Sequence, residues 1–407
     1  MQQLAIDGGT PVRSEQIFYG RQWIDEEDIA AVAEVMRSDF ITCGPKVAEA
    51  EQVLCAYTGA KHAVVVNSGT AALHAAVFAA GIGEGDEVIT TPLTFMASAN
   101  CALYAGAKPV FADIDPETYQ IDPALIEARI TKKTKAVVAV DYAGEVVDAA
   151  RIRDICDRHH LVFIEDAAHA IGSKHNGRPT GSYADLTCFS FHPVKTVTSG
   201  EGGAVLTNDD AYAKRALLFR SHGIERDMGG IAERLYDDTT EVTKERMHYV
   251  TDQVFLGYNY RMPDINAALL LSQMKKLERF IARRKEIVER YDEAFKDLPQ
   301  IALQKSPAYS DAARHLYTIR LVPEKLSCGR AKFFAAMEAE NVVCQVHYMP
   351  THLFSHYQAM GYQKGSCPVA ERTYAQLMSV PLYPMLTEDD VSDVIRAVRK
   401  VASFYAV

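Results

Sequence analysis

Three short polar stretches in this sequence follow directly on runs rich in β-branched residues. Asn67-Ser68-Gly69-Thr70 comes after "HAVVV" (62–66), and Asp166-Ala167-Ala168-His169 after "LVFIE" (161–165). Lys195 follows "LTCFSF" (186–191), with Ser190 before it and Thr198, Ser199 and the glycines of "GEGG" behind it. The first stretch opens a helix, where free backbone N–H groups and hydroxyls accommodate a phosphate; a plain helix cap is the alternative. The second offers a carboxylate that is costly to bury unless it meets a cation or several donors, or it too caps a helix. The third offers an amine among glycines that let backbone approach a ligand, though an isolated lysine in a turn is more often solvated. Taken together, the three supply what pyridoxal 5'-phosphate requires: a cradle for its phosphate, a carboxylate for its ring nitrogen and a lysine for its aldehyde.

These groups need a scaffold that brings strand ends together. From about residue 50 the pattern alternates between short apolar runs and helix-length segments, as βαβ units do. The remaining predicted strands are 87–90, 109–114, 136–140 and 204–207, mostly apolar on both faces, as strands covered by helices should be. Predicted helices include Thr70–Ala80, stopped by Gly81, and one after the N-cap candidate Asp148 that ends at His159-His160. The fold class is α/β, with a mainly parallel open sheet whose ligands gather at the strands' carboxyl ends. Beyond Asp264 a long helical run with Leu270, Met274, Leu277, Ile281, Val288, Tyr291 and Phe295 on one stripe ends at Pro299. It is expected to bridge from a large domain (1–264, N-terminal segment included) into a smaller C-terminal α+β domain (265–407) with strands at 315–322 and 342–348. The polar stretch 225–255, with Gly229-Gly230, reads as an excursion with little regular structure.

The motifs then become specific. "GGTPVR" (8–13), "GPKVAEAE" (44–51), "NSGTAALHAA" (67–76), "TPLTF" (91–95), "EDAAHAIG" (165–172), "FSFHPVKTVTSGEGG" (189–203) and "GYNYRMPDINAAL" (257–269) together resemble the DegT/StrS family of sugar aminotransferases, fold-type I pyridoxal-phosphate enzymes. The resemblance spans most of the chain. It implies that Lys195 carries the cofactor's aldehyde as a Schiff base and that Asp166 faces the ring nitrogen. Ser68, Gly69, Thr70 and Ser190 would contact the phosphate, Phe95 would stack on the ring and His169 would lie beside it. Asn259 would reach the phosphate of a neighbouring subunit, which implies a homodimer with shared active sites. A branch with histidine in place of the lysine performs dehydration, so Lys195 points to transamination.

The family's substrates are a nucleotide-linked keto sugar and an amino donor, usually L-glutamate. "FHPVK" and "VHYMP" are most similar to the pseudaminic-acid-pathway branch, which aminates C4 of a UDP-linked 4-keto-6-deoxy-N-acetyl-hexosamine to give UDP-4-amino-4,6-dideoxy-N-acetyl-L-altrosamine. dTDP-3-keto or GDP-4-keto hexoses are the alternatives. Arg21, Lys46 and Arg261 are candidate partners of the diphosphate, and the family uses the region of His347 near the sugar nucleotide.

Composition excludes other classes. Net charge is −10 without long single-sign runs, against nucleic-acid or anionic-membrane binding. No apolar run is long enough to span a bilayer and no leader pattern opens the chain, so a cytoplasmic location is expected. Eight scattered cysteines without a CxxC pair read as reduced thiols. His347 and His352 lack a third ligand at suitable spacing, so no metal is expected. "GIGEGD" (81–86) lacks a preceding strand and is a turn, not a dinucleotide fingerprint. A non-catalytic cofactor-binding regulator would need an appended DNA-binding element, and none is visible.

Overall fold

The computed structural model describes residues 3–226 and 250–407, so most of the polar excursion lies outside the described residues. Seven strands form the central sheet: β1 (His62–Val66), β2 (Glu87–Thr90), β3 (Lys108–Phe111), β4 (Thr134–Val140), β5 (Val162–Asp166), β6 (Leu186–Ser190) and β7 (Gly203–Thr207). Their order is β1-β7-β6-β5-β4-β2-β3. All neighbours are parallel except β7, which runs antiparallel to both β1 and β6. The fold is thus the fold-type I α/β architecture expected, with one reversed strand. Predicted and observed strands agree to within a few residues; the third stops at Phe111, three residues early.

The reversed strand matters because it starts where β1 and β6 end. Gly203 is paired with Val66 on one side and Ser190 on the other. A side chain there would lie 2.5 Å from the Ser68 carbonyl oxygen, so the missing Cβ lets the turn after β1 sit on the sheet beside Ser190. That turn feeds α1 (Gly69–Ala79), whose run of buried alanines packs closely on β6 and β7. Helix α2 (Ala97–Tyr104) follows β2, and α3 (Ala149–His159) starts at Asp148, whose side chain accepts the Arg151 N–H as predicted.

The long helical run is two helices, α4 (Asp264–Met274) and α5 (Leu277–Phe295). Periodicity continues across the break, which is why the sequence pattern reads as one. The chain turns at Lys276, whose amine is drawn under Asp25 and Asp28, 2.9 Å from the latter. The C-terminal sheet has β8 (Ile301–Leu303), β9 (Tyr317–Leu321) and β10 (Leu377–Val380) in that order, all antiparallel. The strand expected at 342–348 does not form. Asn341 has φ +63°, and Val342 and Gln345 make isolated bridges to different partners, Ile17 and Ser379, so no continuous ladder develops. The strand at 377–380 was missed because four residues between a helix and a proline carry too little pattern.

Leu4 and Ile17 are buried in the C-terminal core with α5, β9 and the last helix, α6 (Glu388–Phe404), although the expectation grouped the N-terminal segment with the large sheet. We propose that this segment belongs to the C-terminal unit. Glu340 fastens it: buried completely, it accepts the Ala5 and Val12 N–H groups at 2.9 Å each and pairs with Lys400 at 2.8 Å. Lys400→Met would leave that carboxylate without a counter-charge and is expected to cost about 3 kcal/mol in denaturant unfolding. A loss below about 1 kcal/mol, the range of an exposed pair, would show that the pair does not hold the segment.

Candidate active site

A cavity of about 620 Å³ opens at the carboxyl ends of β1, β4, β5 and β6. Its wall includes Ser68, Gly69, Thr70, Phe95, Asp166, His169, Ser190, Lys195 and His347, so the structure brings nine of the predicted site residues together.

The Ser68 hydroxyl accepts the Ala71 N–H at 3.1 Å and caps α1, which leaves its own proton free to donate. A Cβ on Gly69 would sit 2.8 Å from the Ser190 Cβ, so glycine is what lets the helix start and the end of β6 close into one cradle. Backbone donors, three hydroxyl side chains (Ser68, Thr70, Ser190) and a helix dipole converge there, a donor set that suits a phosphate group.

Asp166 ends β5, only 5% exposed. It accepts the Ser98 hydroxyl at 2.6 Å and the Ala168 N–H at 3.1 Å. Burial raises its pKa above the ordinary carboxylate value despite these two bonds and the nearby Lys195 charge. The pocket therefore holds a carboxylate still short of a cation, as a protonated ring nitrogen would be. Lys195 shows the complementary shift: burial pulls its amine down to about 8, only partly opposed by Asp166. The lowered value raises the neutral, nucleophilic fraction of this amine near physiological pH above that of an exposed lysine. These residues fit pyridoxal phosphate.

The remaining wall is aromatic and imidazole. Phe95 is half exposed and meets Tyr348 edge to face, ring centres 6.0 Å apart. His169 accepts the Ala143 N–H at Nδ1 (3.2 Å), and its Nε2 lies 3.1 Å from the Tyr348 hydroxyl oxygen. The His347 Nδ1 is 2.8 Å from the Ser379 hydroxyl, and burial takes this imidazole down to about 3. His169 and His315 are also pushed well below the usual histidine value, first by burial and then by the Lys195 charge.

Four predicted residues do not line this chain's cavity. Arg21 is exposed, and Lys46 pairs with Glu49 at 2.9 Å. Arg261 donates to the Ser221 hydroxyl at 3.1 Å, and the exposed Asn259 accepts a weak bond from the Asn67 side chain at its backbone carbonyl. Sequence reasoning missed Tyr19, Ser98, His192, Glu201, His315 and Tyr348. His192 and Tyr348 sat inside motifs already singled out. Ser98 and His315 had no local signal, because only the fold brings them to Asp166 and His169. No group of three metal-binding side chains occurs among the described residues, and no described helix is long and apolar enough to cross a membrane.

The model of the DegT/DnrJ/EryC1/StrS aminotransferase family matches residues 22–399. The chain belongs to this family. Among its relatives, the spore coat polysaccharide biosynthesis protein SpsC of Bacillus subtilis is 39% identical over 96% of this chain and 98% of that protein. The UDP-4-amino-4,6-dideoxy-N-acetyl-beta-L-altrosamine transaminase of Campylobacter jejuni is 41% identical over 84% of this chain and 86% of its own. Among solved structures, Helicobacter pylori PseC, an aminotransferase involved in the biosynthesis of pseudoaminic acid, superposes with a TM-score of 0.86 at 32% identity, covering 96% of this chain and 100% of that one. This aminotransferase is a pyridoxal-phosphate-dependent enzyme of nucleotide-linked sugars.

The Lys195 shift can be read on the cofactor-free protein. Competitive labelling with acetic anhydride, which attacks neutral amines, should accelerate at Lys195 as pH rises through about 8. A profile that rises only near the ordinary lysine value of about 10.4 would contradict the burial argument.

Proposed function

We propose that this enzyme moves an amino group from L-glutamate to C4 of a UDP-linked 4-keto-6-deoxy-N-acetyl-hexosamine, forming UDP-4-amino-4,6-dideoxy-N-acetyl-L-altrosamine. The observation that carries transamination is the convergence of Lys195, Asp166 and the Ser68–Thr70 cradle on one cavity. The substrate reading is supported by the activity for which the Campylobacter relative is named and by the kinship with the Helicobacter enzyme. Aminotransfer to another nucleotide-linked keto sugar, dTDP-3-keto or GDP-4-keto hexose, is the alternative.

When bound, pyridoxal phosphate supplies an electrophilic carbon and a ring that takes up the electron pair released at the donor's α-carbon. The residues do the rest. The Ser68, Thr70 and Ser190 hydroxyls and the first N–H groups of α1 anchor the phosphate. Asp166, held in place by Ser98 and the Ala168 N–H, keeps the ring nitrogen protonated. The Lys195 Nζ would hold the cofactor's aldehyde carbon, and the same amine, when neutral, is the group placed to take a proton from the donor's α-carbon and to give one to the sugar carbon that receives the amine. Phe95 would pack on the ring face, with His169 beside it. In this reading Asn259 and Arg261, outside their own chain's cavity, serve the cavity of a second copy in a homodimer, and His347 faces the sugar nucleotide, while Arg21 and Lys46 are left as peripheral cations.

Incubating the pure enzyme with L-glutamate and a panel of keto-sugar nucleotides, and measuring 2-oxoglutarate release, tests this. The UDP-linked 4-keto sugar is expected to be the preferred acceptor. Release with a dTDP or GDP sugar alone would move the assignment to the alternative, and release with none would end it.

A further inference from the structure

The cavity wall contains a hydrogen-bond chain whose polarity is fixed from the backbone outward. At the end of β4, Ala143 adopts φ +62°, a left-handed conformation that costs a residue with a Cβ about 1 kcal/mol or more. The turn is held there by the His315 N–H, which donates to the Ala143 carbonyl at 2.9 Å. Gly144 follows at φ +91°, where a Cβ would lie 3.0 Å from the His169 carbonyl oxygen, so the turn sits tight against His169. In this geometry the Ala143 N–H donates to the His169 Nδ1. A nitrogen that accepts carries no proton, so the imidazole proton is on Nε2 and points at the Tyr348 hydroxyl oxygen, 3.1 Å away. The Tyr348 oxygen accepts there, and its own proton is directed elsewhere. Tyr348 lines the cavity, so that proton is available to a ligand.

Its surroundings suggest which ligand. Tyr19 and His347 are 5.1 Å apart, His347 and Tyr348 4.9 Å, and Tyr348 and Phe95 6.0 Å, between ring centres. The Tyr142 hydroxyl holds the His347 carbonyl, so this wall is pinned to the same β4 turn. Neutral rings with polar edges suit a sugar, which offers apolar C–H faces and uncharged oxygens; the carboxylates of an amino acid call for cations.

We propose that Tyr348 is a specificity-determining donor to an oxygen of the sugar ring or its substituents, and that the Ala143–His169 pair is the positioning device that keeps it a donor. The proposal rests on the keto-sugar reading above. Burial and the Lys195 charge hold His169 neutral, so the polarity does not reverse as pH falls through the usual histidine range.

The test uses the holoenzyme carrying Tyr348→Phe, with the two half-reactions followed separately through the cofactor's absorbance. Transfer to the keto sugar is expected to lose roughly tenfold more in kcat/KM than transfer from L-glutamate, mainly through KM for the sugar. Equal losses in both halves, or a loss confined to the glutamate half, would overturn the assignment. Independently of activity, cofactor-free protein with 15N-labelled histidine should show His169 as the neutral Nε2–H tautomer from about pH 6 to about pH 9, its signals assigned by their absence in His169→Asn. A protonated Nδ1 anywhere in that range would overturn the relay. If the unmodified enzyme aminates no keto-sugar nucleotide, the substrate reading fails by itself, and the tautomer measurement still decides the relay.

Discussion

A carboxylate buried at the end of a parallel strand is the constraint on which the site depends. Asp166 sits where β5 meets the cavity, and burial disfavours its ionised form, raising its pKa. Ser98 from α2 and the Ala168 N–H oppose this with bonds to the ionised form, and Lys195 adds charge across the cavity. Burial still prevails in the isolated chain. A cationic group brought by a ligand would meet a carboxylate that the fold has already desolvated, which is the electrostatic basis of the role proposed for Asp166.

The second constraint is steric and lies at two glycines. Strands β1 and β6 end on opposite sides of Gly203, and without a Cβ there the Ser68 carbonyl can rest against the strand. Gly69 removes the next obstacle by admitting the Ser190 side chain. A methyl group at either position would push the helix start away from β6 and open the hydroxyl cradle. The hydroxyl cradle and the buried carboxylate are thus set by separate parts of the sheet, and Lys195 lies in the loop joining β6 to β7.

Much of this was legible in the sequence because strand ends announce themselves: an apolar run stops and polar residues begin. Ser68, Asp166, Ser190 and Lys195 follow such runs, and the fold class follows from the alternation. What could not be read has a common cause, which is distance along the chain. Ser98 is an ordinary helix residue until β2 and β5 are placed near each other, and His315 comes from a segment about 150 residues beyond His169. The break between α4 and α5 was hidden because the apolar stripe runs through it, while the partners of Lys276 at the break, Asp25 and Asp28, lie about 250 residues upstream. The supposed strand at 342–348 has the right composition, but its backbone partners are shared between the N-terminal segment and β10.

Composition of the cavity wall also bears on how Lys195 could carry the proton transfers proposed for it among so many imidazoles. His169, His315 and His347 are all held neutral, chiefly by burial, and each is further disfavoured as a cation by Lys195. Had any of them ionised near neutrality, its charge would have lowered the Lys195 pKa further and competed for the proton removed from the donor. With their protonation fixed, the imidazoles serve as neutral dipoles, and at His169 the direction is set by the Ala143 N–H. Lys195, near 8, is left as the amine that can gain and lose a proton within the working range. A cavity that must accept two chemically different substrates in turn gains from this division: the groups that recognise stay constant while the group that reacts changes state.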